Sequence, residues 1–126
     1  MLAASCRSED RPLVKPVKPS FLFVCMGNIC RSPTVEAVAR VEFARAGLDV
    51  DVASAGTEDY HIGHGADPRA IACAEARGYP LAAHRARQVS LDDFMRWDHL
   101  LVMDRANERA LARIVEIERM RRDGKT

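Results

Sequence analysis

The residues of this sequence best suited to covalent chemistry are a cysteine and an arginine separated by five residues. They lie in the run Val24-Cys25-Met26-Gly27-Asn28-Ile29-Cys30-Arg31-Ser32-Pro33. A cysteine thiolate is a strong nucleophile, and an environment that welcomes anions favours it over the thiol. A loop running from a strand into a helix N-terminus makes such an environment, because successive backbone N–H groups can turn inward around one point. Gly27 and Asn28 are residue types that tolerate the positive φ of a cradle of this kind. Arg31 adds a planar fork able to hold two oxygens of a phosphoryl group during transfer. The run therefore predicts a pocket for a tetrahedral oxyanion over the sulfur of Cys25. The blander alternative is a cysteine buried for packing beside a surface arginine. It leaves unexplained why a strand, a Gly-Asn turn, an arginine and a Ser-Pro helix start all coincide here.

The elements around the loop supply the positioning. Phe21-Leu22-Phe23-Val24 is a short apolar run bounded by turn signals, which predicts a buried strand. After the loop, Ser32 is expected as N-cap and Pro33 as first residue of a helix. That helix would carry Ala37, Val41, Ala44 and Leu48 on one face and close at Gly47. Residues 50–53 predict a second strand ended by Ser54-Ala55-Gly56, and residues 57–65 a loop. Asp67-Pro68 opens another helix that Gly78 closes, with Cys73 expected in the core. Ser90 and Asp93 form a capping box before a short helical turn, followed by a third strand over residues 99–103. Leu111, Ile114 and Val115 mark a final helix running to the basic end at residues 119–122. Strands alternating with helices predict an α/β domain with a parallel sheet, whose ligand sits beyond the C-terminal strand ends. Cys25 falls there.

Composition narrows the rest. A chain of 126 residues suits one small domain, expected over residues 20–126 after a poorly ordered, proline-containing lead-in at residues 1–19. Lys plus Arg number 19 against 18 Asp plus Glu, so no broad basic surface points to nucleic acid or an acidic membrane. No apolar run reaches the roughly eighteen residues of a membrane span. The opening residues lack the continuous apolar core of a secretory signal. The four cysteines, Cys6, Cys25, Cys30 and Cys73, have neither a secreted disulfide spacing nor a zinc-ligand spacing, which favours free thiols in a reducing cytoplasm. His61 and His64 read as polar loop residues rather than ligands. No metal and no cofactor are expected.

The sequence resembles the low-molecular-weight protein tyrosine phosphatases. The resemblance extends from about Phe21 to about Leu111 and includes Ser54-Ala55-Gly56-Thr57, Asp67-Pro68-Arg69-Ala70, residues 84–88 and Met103-Asp104. It implies a three-layer α/β fold with a small parallel sheet. By the same similarity Cys25 is the nucleophile that forms a phosphocysteine, and Arg31 clamps the phosphoryl oxygens. Ser32 would donate to the thiolate. Met26, Gly27, Asn28, Ile29 and Cys30 would line the phosphate site, and Tyr60 the substrate cleft. Asn28, Ser54 and His84 would hold the loop in shape. Cys30 matches a position that can form a reversible disulfide with the nucleophile. The implied substrate is a phosphotyrosine protein or a small aryl phosphate, with inorganic phosphate as inhibitor.

One part of the family pattern is missing. Its general acid is an aspartate in a C-terminal Asp-Pro-aromatic segment, whereas the Asp-Pro pair here, Asp67-Pro68, matches a helix start. Relative to the family, the domain reads as C-terminally truncated, without the fourth strand and closing helix, which would leave one edge of the third strand open. A positioned acid contributes about 10²–10⁴-fold to rate, so impaired turnover is expected. Two alternatives stand beside the phosphatase: a non-catalytic phosphate or phosphotyrosine binder, and an arsenate reductase-like protein, for which Cys73 is the downstream cysteine available.

Overall fold

A computed structural model describes residues 18–124. Most of the expected lead-in, and Cys6 with it, lies outside the described residues. Three strands, β1 (Ser20–Cys25), β2 (Asp51–Gly56) and β3 (His99–Val102), form a parallel sheet in the order β2-β1-β3. Four helices connect and follow them: α1 (Arg31–Arg45), α2 (Pro68–Ala76), α3 (Leu91–Arg96) and α4 (Arg105–Arg122). The result is the expected three-layer α/β arrangement.

β1 is the central strand because it is the most apolar. Leu22 and Val24 are fully buried and pack with Ala55, Val89 and Leu111, while Phe94 of α3, Trp97 just beyond it and Ile114 of α4 cover that face. On the other side Phe21 stacks on Phe43 of α1, with ring centroids 5.9 Å apart. A second cluster of small side chains, Ala37, Ala66, Ala74 and Leu81, joins α1 to α2. The strand order switches at β1, with β2 on one side and β3 on the other. The C-terminal end of β1 is therefore the crevice where a ligand is expected in such sheets.

Local signals placed most boundaries. Asp67 accepts from the Arg69 N–H at 2.8 Å ahead of Pro68, and Ser90 with Asp93 forms the capping box that starts α3. β2 runs further than expected, through Gly56, because Ser54, Ala55 and Gly56 pair in register with Phe23, Val24 and Cys25. Three expectations need correction. α1 begins at Arg31 with Cys30 as N-cap, so Ser32 lies inside the first turn and its hydroxyl does not cap. Leu48 is exposed, because α1 ends at Arg45 and the left-handed turn at Gly47 takes Leu48 off the helix face. Cys73 is exposed as well: α2 buries Ala74, with Ala70 and Ile71 beside it, and Cys73 falls on the solvent side.

Candidate active site

The loop between β1 and α1 is organised around Asn28. It is fully buried and is the non-glycine residue at positive φ among the described residues, at 58°. Asparagine tolerates that conformation better than most side chains. Its polar groups are then all used. The side-chain Nδ2 donates to Ser32 Oγ and Ser54 Oγ, each at 2.9 Å, and Oδ1 accepts from the Arg87 backbone N–H at 2.9 Å. Its carbonyl oxygen lies 2.7 Å from His84 Nε2 and its backbone N–H donates to Cys25 Sγ at 3.3 Å. A backbone carbonyl only accepts, so Nε2 carries the proton in that contact. The Ser54 hydroxyl in turn donates to Glu36 Oε1 at 2.6 Å.

This network aims donors at the sulfur. Cys25 ends β1 and is buried, and its Sγ lies 3.0 Å from Ser32 Oγ. Ser32 Oγ accepts from Asn28, and a hydroxyl has a single hydrogen, so that hydrogen is free to point at Cys25. With the Asn28 N–H, two donors converge on one thiol. Both belong to buried groups whose positions are fixed by other bonds, as a preorganised anion site requires.

The rim is open by contrast. Met26 and Tyr60 are exposed, Tyr60 at 64%, and Tyr60 meets the His61 ring edge-on. His61 accounts for Gly27. A Cβ at Gly27 would come within 3.0 Å of His61 Cδ2, so glycine is there for close approach and not for a positive φ, as the sequence had implied. The Ile29 carbonyl oxygen accepts from the Asp67 N–H at 2.7 Å, tying the loop to the start of α2. Cys30, like Cys25, is a free thiol, but an exposed one.

Arg31 opens α1 with its Nη1 3.2 Å from Asp104 Oδ2, both side chains about half exposed. Asp104 is the N-cap of α4, accepting from the Asn107 N–H at 2.9 Å. That N–H, followed by the Arg31 guanidinium, holds its carboxyl below the usual carboxylate range. Asp104 is therefore an acceptor at neutral pH and does not supply a proton. Asp98 lies at the far end of the sheet, in reciprocal bonds with Ser20.

Thus the structure brings Cys25, Asn28, Ser32, Ser54 and His84 together, sets Met26, Gly27, Ile29 and Cys30 along the same loop, and leaves Tyr60 on the rim. It adds Glu36 behind Ser54, the Arg87 backbone at Asn28 and Asp104 at Arg31. Glu36 is one of two acids on α1 with nothing in the sequence to single it out, and the Arg87 contact uses main chain, so neither had a sequence signal. Arg87 is itself held by Asp93, whose carboxylate oxygens lie 2.9 and 3.1 Å from its guanidinium nitrogens. Among the described residues there is no group of three or more His, Cys, Asp or Glu side chains placed to hold a metal ion.

Comparison with known proteins identifies the family. The model of the family described as low molecular weight phosphotyrosine protein phosphatase matches residues 20–123. A low molecular weight protein-tyrosine-phosphatase of Streptomyces coelicolor is 50% identical over 99 residues, covering 77% of this chain and 60% of that protein. The low molecular weight phosphotyrosine protein phosphatase of Sus scrofa is 40% identical over 103 residues, covering 80% of this chain and 65% of its own length. Among solved structures, YfkJ from Bacillus subtilis superposes with a TM-score of 0.78 at 33% identity, covering 85% of this chain and 69% of that one. The chain belongs to the low molecular weight phosphotyrosine protein phosphatase family. It spans less than two thirds of the length of these two curated relatives, 60% and 65%.

Proposed function

We propose that this chain is a cysteine-dependent phosphatase acting on aryl phosphate monoesters, with phosphotyrosine in proteins as the substrate class. The observation that carries the reading is the pair of fixed donors on Cys25 Sγ, from Ser32 Oγ at 3.0 Å and the Asn28 N–H at 3.3 Å. In the first step the Cys25 thiolate attacks phosphorus, an S–P bond forms, and the P–O bond to the aryl group breaks with its electron pair leaving on oxygen. In the second step water attacks phosphorus, the S–P bond breaks, and inorganic phosphate and the thiolate are released. The loop N–H groups bind the phosphoryl oxygens, and Arg31 turns its free N–H groups to them. Ser32 steadies the charge on sulfur when it is nucleophile and again when it is leaving group. Exposed Tyr60 offers a face against which an aryl ring can stack.

We further propose that leaving-group protonation is the weak point of the site as the described residues form it. The carboxylate beside Arg31, Asp104, is held ionised and is not poised to protonate the departing oxygen. Turnover then follows the acidity of the leaving group: p-nitrophenyl phosphate is hydrolysed readily and phosphotyrosine more slowly, by up to the roughly 10²–10⁴-fold that a positioned acid contributes. The same argument favours a second reading, phosphate capture with little turnover. Hydrolysis of p-nitrophenyl phosphate by the wild-type chain, abolished by Cys25→Ser, separates the two. Folded wild-type protein that binds phosphate but shows no Cys25-dependent hydrolysis would leave only the second. No membrane contact is needed for either, and no helix among the described residues is long and apolar enough to cross a bilayer.

A further inference from the structure

Behind the loop, between α1 and residues 80–84, lies a cavity of about 190 Å³. None of Cys25, Met26, Gly27, Arg31 or Tyr60 lines it, so it is separate from the mouth described above. Its walls are largely carbon, and Glu36, Ala37 and Arg40 of α1 face Leu81, Ala83 and His84 across it. Apolar space of about 150 Å³ accommodates a benzene ring, so this cavity matches one ring, or two fused, and little more.

The polar end of the cavity selects the chemistry further. Glu36 and Arg40 neutralise each other across 2.6 Å, so a ligand with net charge gains no unpaired partner. Glu36 accepts from Ser54 at Oε1 and from Arg40 at Oε2, two of the roughly four lone-pair positions of a carboxylate. Acceptor capacity therefore remains, and no donor is left over on the carboxylate itself. A ligand that supplies one N–H fits.

Two wall residues act directly on the loop. His84 Nε2 holds the Asn28 carbonyl at 2.7 Å, and Glu36 holds Ser54, which in turn holds the Asn28 side chain at 2.9 Å. Asn28 then presents its N–H to the nucleophile. We propose that this cavity is a regulatory site for a neutral, flat aromatic molecule of one or two rings bearing an N–H donor. Occupancy stiffens His84 and Glu36 and thereby preorganises the loop, so that the ligand and the oxyanion bind with positive coupling. The regulated event is oxyanion binding at the site of the proposed phosphatase, and the inference rests on that reading to this extent.

Indole is a suitable probe. Titrated into the full chain, it should produce saturable backbone amide shifts at Ala37, Arg40, Leu81 and His84, with a smaller shift at Asn28. Saturating indole should tighten inorganic phosphate binding by at least about fivefold, the lower end of ordinary coupling between sites. Ala83→Phe, a change at an exposed position that fills the cavity, should abolish the indole shifts. The proposal is overturned if those amides do not saturate, if A83F leaves the shifts intact, or if indole binds without moving Asn28 or phosphate affinity. Failure of the phosphatase reading looks different: phosphate alone then leaves the Asn28 amide unmoved, while the indole shift at Asn28 still reports on the cavity.

Discussion

Arg31 Nη1 lies 3.2 Å from Asp104 Oδ2, which joins the first residue of α1 to the N-cap of the final helix. The contact has two consequences of opposite sign for an incoming phosphate. Asp104 limits where the guanidinium can go, and it also competes with the phosphate for that guanidinium. The pair is exposed and screened by water, so competition can change affinity by no more than roughly fivefold.

Asp104→Asn should keep the cap on α4, since asparagine caps as well as aspartate, while removing the competing charge. Inorganic phosphate is then expected to bind about two- to fivefold more tightly, as read from its inhibition constant. Weaker binding would mean that orientation of Arg31 by Asp104 outweighs competition.

Asn28→Ala removes the centre of the loop. It leaves Ser32, Ser54 and the Arg87 N–H without a shared partner in a buried setting, and places alanine at positive φ. Orphaned buried groups and left-handed backbone together cost about 2–4 kcal/mol. A lower denaturation midpoint and loss of Cys25-dependent turnover are expected together. A stable N28A variant with ordinary turnover would show that the loop keeps its shape without this hub.

Gly56 is a packing constraint on the same loop. A Cβ there would sit 2.7 Å from the Met26 carbonyl oxygen, and backbone cannot swing away as a side chain can. Gly56→Ala should therefore displace Met26 and weaken phosphate binding at least about tenfold, in line with the cost of small misplacements at reacting centres. Gly63→Ala is the matched control. Its added Cβ meets nothing within 4 Å, though φ is +83°, so it should lower stability without moving phosphate affinity.

Asp93 links stability to pH. Burial pushes its carboxyl up, but the Arg87 guanidinium and the Ser90 N–H outweigh that and hold it below the usual carboxylate range. A group whose folded pKa is depressed stabilises the fold above its unfolded value, about 3.9, and loses that contribution as pH falls through the folded value. Asp93→Asn should cost about 1–3 kcal/mol at pH 7, and the gap from wild type should close below about pH 4. Urea denaturation at both pH values checks this, and a gap that persists in acid would contradict it.

What the sequence revealed followed from the range of the interactions involved. The central strand, the Asp67-Pro68 helix start and the Ser90–Asp93 capping box are decided by residues at most a few positions apart, and all were legible. The cysteine and arginine were legible too, because both sit on one short loop. The rest of the site depends on approach in space. Arg87 reaches Asn28 across 59 residues and His84 across 56, and in the first case through a backbone N–H that any residue could have supplied. Ser54 and His84 were pointed to only by family resemblance. Ser32 looked like a cap because Ser-Pro normally starts a helix, yet the thiol and Asn28 claim its hydroxyl. Cys73 looked buried because its neighbours are alanines, but an alanine-rich helix shows little of which face it turns inward.

The most direct test of the account is whether an oxyanion covers the sulfur of Cys25. Alkylation by iodoacetamide, followed residue by residue by mass spectrometry, should be slowed at Cys25 by inorganic phosphate in a saturable manner. The exposed Cys73 on α2, which accepts a hydrogen bond from Arg77 Nη1, should react at the same rate throughout. Phosphate that leaves the Cys25 rate unchanged, in folded protein, would contradict the phosphate site and the proposed function together.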